Sequence, residues 1–174
     1  MADGHPDAGF NGPVTLAIQS GPDGGVLPGT LTVNAVGGVA TFTGLTILRS
    51  GKYTFVASGP DILAVVSGPV VVTPNAIQVS IAGRLFPRFP IIVNLEAVDA
   101  TGLLASGFTG SFRVIVVKKP EGATVTGGLT GAFIGGKATL DLEVSKPGHY
   151  MFRVEAPNFL TAECSFTVRP RRRA

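Results

Sequence analysis

Residues 2–41, ADGHPDAGFNGPVTLAIQSGPDGGVLPGTLTVNAVGGVAT, recur 98 positions later as residues 100–139, ATGLLASGFTGSFRVIVVKKPEGATVTGGLTGAFIGGKAT. The two stretches share 14 identities in 40 ungapped positions, where unrelated sequences of this composition would share about three or four. The likeness continues to Pro74 in the first copy and to Pro170 in the second, with small changes of offset. The repeat therefore predicts two related domains, 1–74 and 75–170, followed by a basic tail, 171–174.

Apolar residues alternate with polar ones throughout the second copy, which is typical of half-buried β-strands. The segment IIVNLEAV places Ile91, Val93, Leu95 and Ala97 on one face, and KATLDLEV repeats the pattern after the Gly135–Gly136 turn. No long segment has helical periodicity. About seven short strands separated by turns predict an all-β protein built of Greek-key β-sandwiches.

The first copy has no counterpart of residues 76–98, because Met1 aligns with Asp99. From its third strand onward it repeats the same order, including an alternating segment with Ala40, Phe42, Leu45 and Ile47. We therefore expect a first sandwich that lacks its first two strands. Without counterparts of the four apolar side chains of IIVNLEAV, roughly 300–500 Å² of core would be uncovered. At about 25 cal/mol per Å², this exposure costs roughly 8–12 kcal/mol. This identifies Val14, Leu16 and Ile18 as candidates for exposed core residues.

Composition excludes several classes of protein. The single cysteine, Cys164, allows no internal disulfide, and we expect it to be a small core residue. No apolar run reaches the length of a membrane span, and the start MADGHPDAGF does not have the pattern of a signal peptide. Of the 14 basic residues, four lie in the last six positions, so the net charge of +3 arises mostly in the tail.

Candidate catalytic and metal-binding residues are few and scattered. His5 and His149 lie in predicted turns without nucleophilic or acidic neighbours, and Asp3, Asp23, Asp99 and Glu121 are interpreted as turn formers. The ending RPRRRA lacks interleaved aromatic residues, so we expect no nucleic-acid partner. These patterns predict neither an enzyme nor a bound cofactor or metal.

The phrases GFNGPVTLAI, GTLTVNAVGGVATFTGLTI and SGKYTFVASG resemble the bacterial immunoglobulin-like repeats of invasin-type adhesins and large surface proteins. The resemblance implies a sandwich that serves as a stalk, spacer or adhesive module at the cell surface or outside the cell. SGKYTF and PGHYMF also fit a tyrosine corner, with Tyr53 and Tyr150 as the structural tyrosines. Phe55 and Phe152 would fill the space that a core disulfide occupies in antibody domains.

Alternatives remain open at this point. The incomplete first domain can belong to a longer chain with further repeats, can borrow strands from another subunit, or can lean on its neighbour. The second case makes the chain a self-assembling subunit that forms homo-oligomers by strand exchange. A different class is an accessory ligand-binding module of a larger enzyme. The expected partners are proteins, neighbouring repeats or other subunits, and an accessory module would bind either a sugar or a protein.

Overall fold

The computed structural model describes residues 7–156 and 161–171 of the chain. It is all-β in these ranges, with thirteen strands and no helix, which confirms the predicted fold class. The chain divides into two compact units, Met1–Val72 and Thr73–Ala174.

No helix in the described ranges is long and apolar enough to cross a membrane.

Residues 7–72 of the first unit form a single antiparallel sheet of five strands. These are β1 (Pro13–Ser20), β2 (Thr32–Asn34), β3 (Gly51–Gly59), β4 (Ile62–Val66) and β5 (Val70–Val72). The strand order is β2-β1-β3-β4, and β5 pairs with the beginning of β3. Since β4 and β5 pair with successive parts of β3, together they follow one side of that strand.

The second unit contains two four-stranded antiparallel sheets. Its strands are β6 (Ala76–Gly83), β7 (Ile91–Val98), β8 (Gly110–Lys118), β9 (Val125–Gly127), β10 (Thr130–Phe133), β11 (Lys137–Val144), β12 (Gly148–Glu155) and β13 (Ala162–Val168). One sheet has the order β10-β8-β12-β13, and the other has the order β6-β7-β11-β9. The β10-β8-β12-β13 sheet corresponds to the sheet formed by the described residues of the first unit.

The two sheets of the second unit enclose a continuous apolar core. β7 shows the predicted alternation, because Ile91, Val93, Leu95 and Ala97 are all buried, with at most 2% of their surface exposed. They belong to the same buried cluster as Phe112, Phe152 and other residues of the opposite sheet. This is the arrangement of a β-sandwich, in which the inner faces of two sheets pack against each other.

The alternating segment of the first copy that corresponds to β11 forms no strand. Residues 40–48 belong to no ladder in the structure, although Ala40 and Phe42 keep the alternation seen in β11. In the second unit β11 pairs with β7, and β9 pairs with β11. A β7 counterpart does not occur among residues 7–72, and in this range the residues that correspond to β9 and β11 form no second sheet.

Candidate functional site

The nucleophilic and basic side chains of the sequence lie apart from one another. His149 is exposed at the beginning of β12, and Cys164 is half-buried on β13. Burial raises the pKa of the Cys164 thiol, and a backbone hydrogen bond from Phe152 lowers it to a smaller extent. His5 lies outside the described residues. Within the described ranges no three His, Cys, Asp or Glu side chains come together as a possible metal site.

Asp99 is a buried carboxylate that its own turn satisfies. Only 3% of its surface is exposed. Its Oδ1 accepts hydrogen bonds from the N–H groups of Thr101, at 2.9 Å, and Leu103, at 3.2 Å, and from the Thr101 hydroxyl. Asp23 and Glu121 are exposed in other turns, and Asp3 lies outside the described residues. The structure thus shows Asp99 holding the turn that follows β7.

The two tyrosines occupy equivalent places in the two units. Tyr53 on β3 and Tyr150 on β12 are both fully buried. The Tyr53 hydroxyl donates to the carbonyl oxygen of Arg49 at 3.0 Å, and the Tyr150 hydroxyl donates to that of Lys146 at 2.7 Å. Each hydroxyl therefore ties its strand to the backbone four residues upstream. Burial raises the pKa of Tyr150 above its usual value.

The turn that covers Tyr53 requires glycine. A Cβ at Gly21 would lie 2.5 Å from Cδ1 of the Tyr53 ring. The ring therefore packs directly on the backbone of this turn, and a larger residue would have to displace it. Tyr53 is thereby as fully buried in the first unit as Tyr150 is in the second.

The opposite side of the first unit is open. Phe152 is fully buried, whereas its counterpart Phe55 on β3 is only half-buried and stacks on Tyr53 with ring centroids 6.4 Å apart. Among the exposed-core candidates, Val14 is buried, while Leu16 and Ile18 are half-buried. We use the name open half for this uncovered inner face of the β2-β1-β3 sheet together with residues 39–47.

The open half also exposes backbone that is paired in the second unit. There the Ala97 N–H donates to the Gly136 carbonyl oxygen at 2.7 Å, and β7 then pairs with β11 from Lys137 to Leu142. The corresponding segment of the first unit begins at Gly38 and runs through Phe42 without a partner strand in residues 7–72. Large apolar side chains border it, with Val36 at 78% exposure and Val39 at 53%. The result is a segment without a partner strand and an apolar face on the same side of one unit.

A second feature lies at one end of the second unit, where arginine and phenylalanine side chains meet. Arg84, Phe86, Phe89, Arg169 and Arg171 line a shallow pocket. The Arg171 guanidinium lies 4.6 Å from the centroid of the Phe89 ring, a cation–π geometry. The Arg169 N–H donates to the Leu85 carbonyl oxygen at 2.9 Å, which holds the end of β13 beside the β6–β7 loop.

Sequence reasoning missed this arginine and phenylalanine cluster. It assigned the arginines near the end of the chain to a solvated tail and the segment RLFPRFP to a connection. A signal was present, since that segment contains two arginines and two phenylalanines within seven residues. Only the fold, however, brings it next to Arg169 and Arg171. The remaining tail arginines, Arg172 and Arg173, lie outside the described residues.

Comparisons with known proteins give structural likenesses only. No family model and no curated protein matches the chain. A β-glucuronidase of glycoside hydrolase family 2 is 15% identical with a TM-score of 0.49, over 92% of this chain and 18% of that one. The D0-D1 domain of intimin is 17% identical with a TM-score of 0.36, over 90% and 82% of the two chains.

Domains 1–6 of the surface layer protein SbsC are 16% identical with a TM-score of 0.44, over 98% of this chain and 21% of that one. The chain thus spans about a fifth of the length of the glucuronidase and of the surface layer structure. Proteins of the bacterial surface and parts of glycoside hydrolases are both among the structures similar to this chain. At TM-scores below 0.5 these likenesses carry no argument about its activity.

Proposed function

We propose that this chain is a non-catalytic structural module, a stalk or spacer segment of a bacterial extracellular or envelope protein that contributes to adhesion. The observation that supports the proposal is the internal repeat, in which the strands of one sheet of the second unit's sandwich recur in the first unit of the same chain. Tandem sandwiches place binding surfaces at a distance from an anchor, and their strength depends on packed cores rather than on reactive groups.

The internal organisation of the second unit fits such a role. Among its described residues, the buried side chains are apolar except for Asp99 and the Tyr150 hydroxyl, and both of these bond to nearby backbone. Every buried side-chain nitrogen or oxygen in the described ranges has a hydrogen-bond partner. Buried polar groups that all hydrogen-bond within the fold contribute to its stability, and this pattern is typical of a structural role rather than a catalytic one.

Pulling on single molecules tests the proposal. The whole chain, placed between two marker domains, should resist force and then lengthen in one step as the second unit opens. That step should measure roughly 300 Å, given about 3.5 Å per extended residue. The matched control, Leu95→Asp, buries a charge in the core and should remove the step.

Two results would contradict the proposal. One is smooth stretching without a force peak, which is the behaviour of a flexible linker. The other is turnover of chromogenic glycosides or esters by the purified chain, since a stalk module has no activity. A parallel assay of binding to bacterial and host cell surfaces then separates a spacer from a segment that itself adheres.

A further inference from the structure

We infer that the arginine and phenylalanine cluster of the second unit, together with Arg88 of the same loop, is a binding site for an acidic polysaccharide. The guanidinium groups bind carboxylate or sulfate groups of the sugar chain, and the apolar rings contact its C–H faces. The inference names a partner for the proposed surface module, and it rests on that proposal for the choice of a polysaccharide among polyanions.

The first step is positive charge without a protein partner. Four exposed arginines line this surface: Arg84, Arg88, Arg169 and Arg171. None of them takes part in an ion pair between residues that the structure describes. Like charges gathered on one surface repel one another, and an anionic ligand relieves that repulsion.

Two other arginines of the second unit show the contrast. Arg113 donates to Glu155 from Nε at 2.9 Å and from Nη2 at 2.7 Å. Arg153 donates to Glu163 in the same way, at 2.9 and 2.8 Å. These two arginines have a carboxylate of the protein as their partner. The arginines of the cluster have none in the described ranges, so their planar, forked donors are free to bind an external anion.

The positions after β13 do not require arginine to build the fold. When Pro170 is aligned with Pro74, Arg169 and Arg171 correspond to Thr73 and Asn75. The strand β5, which corresponds to the end of β13, forms without arginine at these positions. The two arginines therefore add charge that the strand itself does not need.

The second step is the shape of the surface. One shallow hollow of about 400 Å³ is lined by arginines 84, 169 and 171, and a second of about 340 Å³ is lined by Arg88 and Arg171. Phe89 and Arg171 line both hollows, so the two adjoin. A ligand with a single anionic group would occupy only one of them. The arrangement fits a linear ligand that carries anionic groups on successive units.

The third step is the apolar part of the walls. Phe86, Phe89 and Pro170 contribute rings to the first hollow, and Pro87 contributes one to the second. Sugar rings have apolar C–H faces that pack on such side chains, whereas a polyphosphate has none. The Arg171 guanidinium already covers one face of Phe89, so this face is not open to the stacking of a nucleic-acid base. An acidic sugar chain supplies both the anionic and the apolar groups that this surface can bind.

The backbone around the site is held in place before any ligand binds. The Arg88 N–H donates to the Val144 carbonyl oxygen at 2.9 Å, and the Arg169 N–H donates to that of Leu85 at 2.9 Å. Leu85 in turn packs against the apolar core. Arg88 has a φ of 61°, in the left-handed region that residues other than glycine rarely adopt. A surface that is fixed in advance loses less entropy on binding.

Binding of the whole chain to two acidic polysaccharides tests the inference. The probes are polygalacturonate, which carries carboxylates, and dextran sulfate, which carries sulfates, with neutral dextran as the blank. Titration calorimetry measures the dissociation constants at two salt concentrations. We expect binding to at least one acidic probe and none to dextran, and the affinity should fall as salt screens the charges. The two probes distinguish carboxylate from sulfate as the preferred anion.

Three double variants make the result specific to the site. Arg84→Gln with Arg171→Gln should weaken binding by about tenfold or more, because two charge-assisted contacts are lost. Arg113→Gln with Arg153→Gln removes the same charge from another surface and should change the affinity by less than about twofold. Arg84→Lys with Arg171→Lys keeps the charge but loses the planar donors, so it should still weaken binding by about threefold or more.

A fourth double variant examines the remaining arginines of the tail. Arg172→Gln with Arg173→Gln removes two charges close in sequence to the cluster but outside the described residues. We expect it to weaken binding less than Arg84→Gln with Arg171→Gln does. A larger loss would overturn the inference, because it would place the binding charge in the tail and not in the cluster.

The other outcomes also decide the inference. Binding of an acidic polysaccharide that falls in the cluster variant and is retained in the Arg113 and Arg153 variant supports it. Binding of neither probe overturns it, as do equal losses in these two variants or a lysine variant that binds like the parent, because net charge alone then explains the binding. Tighter binding of oligothymidylate or polyglutamate would overturn it by identifying another class of partner.

Failure of this inference and failure of the proposed function give different results. The force experiment measures the resistance of the folded core, and the exposed arginines of the cluster do not contribute to it. A chain that resists force but binds no acidic polysaccharide remains a structural module without this site. A chain that binds through the cluster but stretches smoothly has the site and is not a stalk.

Discussion

The two units share the tyrosine corner, but they differ in how well the inner face of the tyrosine-bearing sheet is covered. At the tyrosine corner each unit has a fully buried ring whose hydroxyl donates to the carbonyl oxygen four residues upstream, at 3.0 Å in the first unit and 2.7 Å in the second. On the inner face Phe152 is fully buried and Phe55 is not. The comparison teaches that local sequence was sufficient to build the corner, whereas the face and the strand at its edge depend on a neighbouring sheet.

The largest expected difference between the units is at the paired phenylalanines. Phe152→Ala should lower the free energy of unfolding of the second unit by about 3–5 kcal/mol, the usual cost of removing a fully buried aromatic ring. Phe55→Ala should cost less than half as much, because its ring already contacts solvent. Hydrogen exchange of peptides from each unit measures both values, and equal losses would show that the first face is covered.

The next effect concerns the turn that follows β7. Asp99→Ala removes the acceptor for three hydrogen bonds and should destabilise the second unit by about 1–3 kcal/mol, since the Thr101 and Leu103 N–H groups lose their partner. Asp99→Asn retains one acceptor oxygen and should lose less. Urea unfolding followed by circular dichroism measures the difference, and an Ala variant as stable as the parent would contradict the role of Asp99.

The corner should respond equally in both units. Tyr53→Phe and Tyr150→Phe each remove one hydrogen bond to a backbone carbonyl, and each should cost its unit about 0.5–1.5 kcal/mol. The comparison of the units would fail if one substitution were neutral and the other severe. The same hydrogen-exchange measurement reports both values.

The raised pKa of Tyr150 adds a pH dependence to this pair. The folded state disfavours the phenolate, so the protonated Tyr150 contributes fully to the stability of the second unit below the unfolded pKa of about 10. This contribution is lost as the pH rises towards the higher pKa of the folded state. The second unit should lose stability as the pH rises above about 10 by more than its Tyr150→Phe variant does. Identical pH profiles would contradict this assignment.

The smallest effect belongs to the ion pair on the outer face. Lys137 and Glu96 are both substantially exposed, so Lys137→Ala should change the free energy of unfolding of the second unit by less than about 1 kcal/mol. Raising the salt concentration should remove any difference in the free energy of unfolding between the Lys137→Ala variant and the parent chain. A loss of several kcal/mol would mean that the β7–β11 ladder depends on this pair and not on apolar packing.

Much of the fold could be predicted from the sequence because it follows from local alternation and from the repeat. The alternation of Ile91 through Ala97 predicts the buried face of β7, and the shared GKYTF and GHYMF patterns predict the two corners. The strand expected around Phe42 does not form, because strand formation requires a partner that alternation alone does not supply. The strand Ile62–Val66 was not predicted, because apolar and polar residues do not alternate in this short apolar run. Its Leu63 side chain is exposed to solvent.

The arginine and phenylalanine cluster could not be predicted for a related reason. Phe89 lies in the β6–β7 loop and Arg171 follows β13, about 80 residues later in the chain. Their contact depends on the closure of the sandwich, which the sequence pattern does not fix at the level of individual side chains. The sequence therefore predicted which residues form strands better than it predicted what the ends of those strands bring together.

The most direct test of the account compares hydrogen exchange in residues 39–47 and 137–144 of the unmodified chain. If the first unit lacks a covering sheet, amides of 39–47 should exchange at rates close to those of an unfolded peptide, while those of 137–144 are protected by their ladders to β7 and β9. Equal and strong protection of the two segments would contradict the central claim, because it would require a partner strand in the first unit as well.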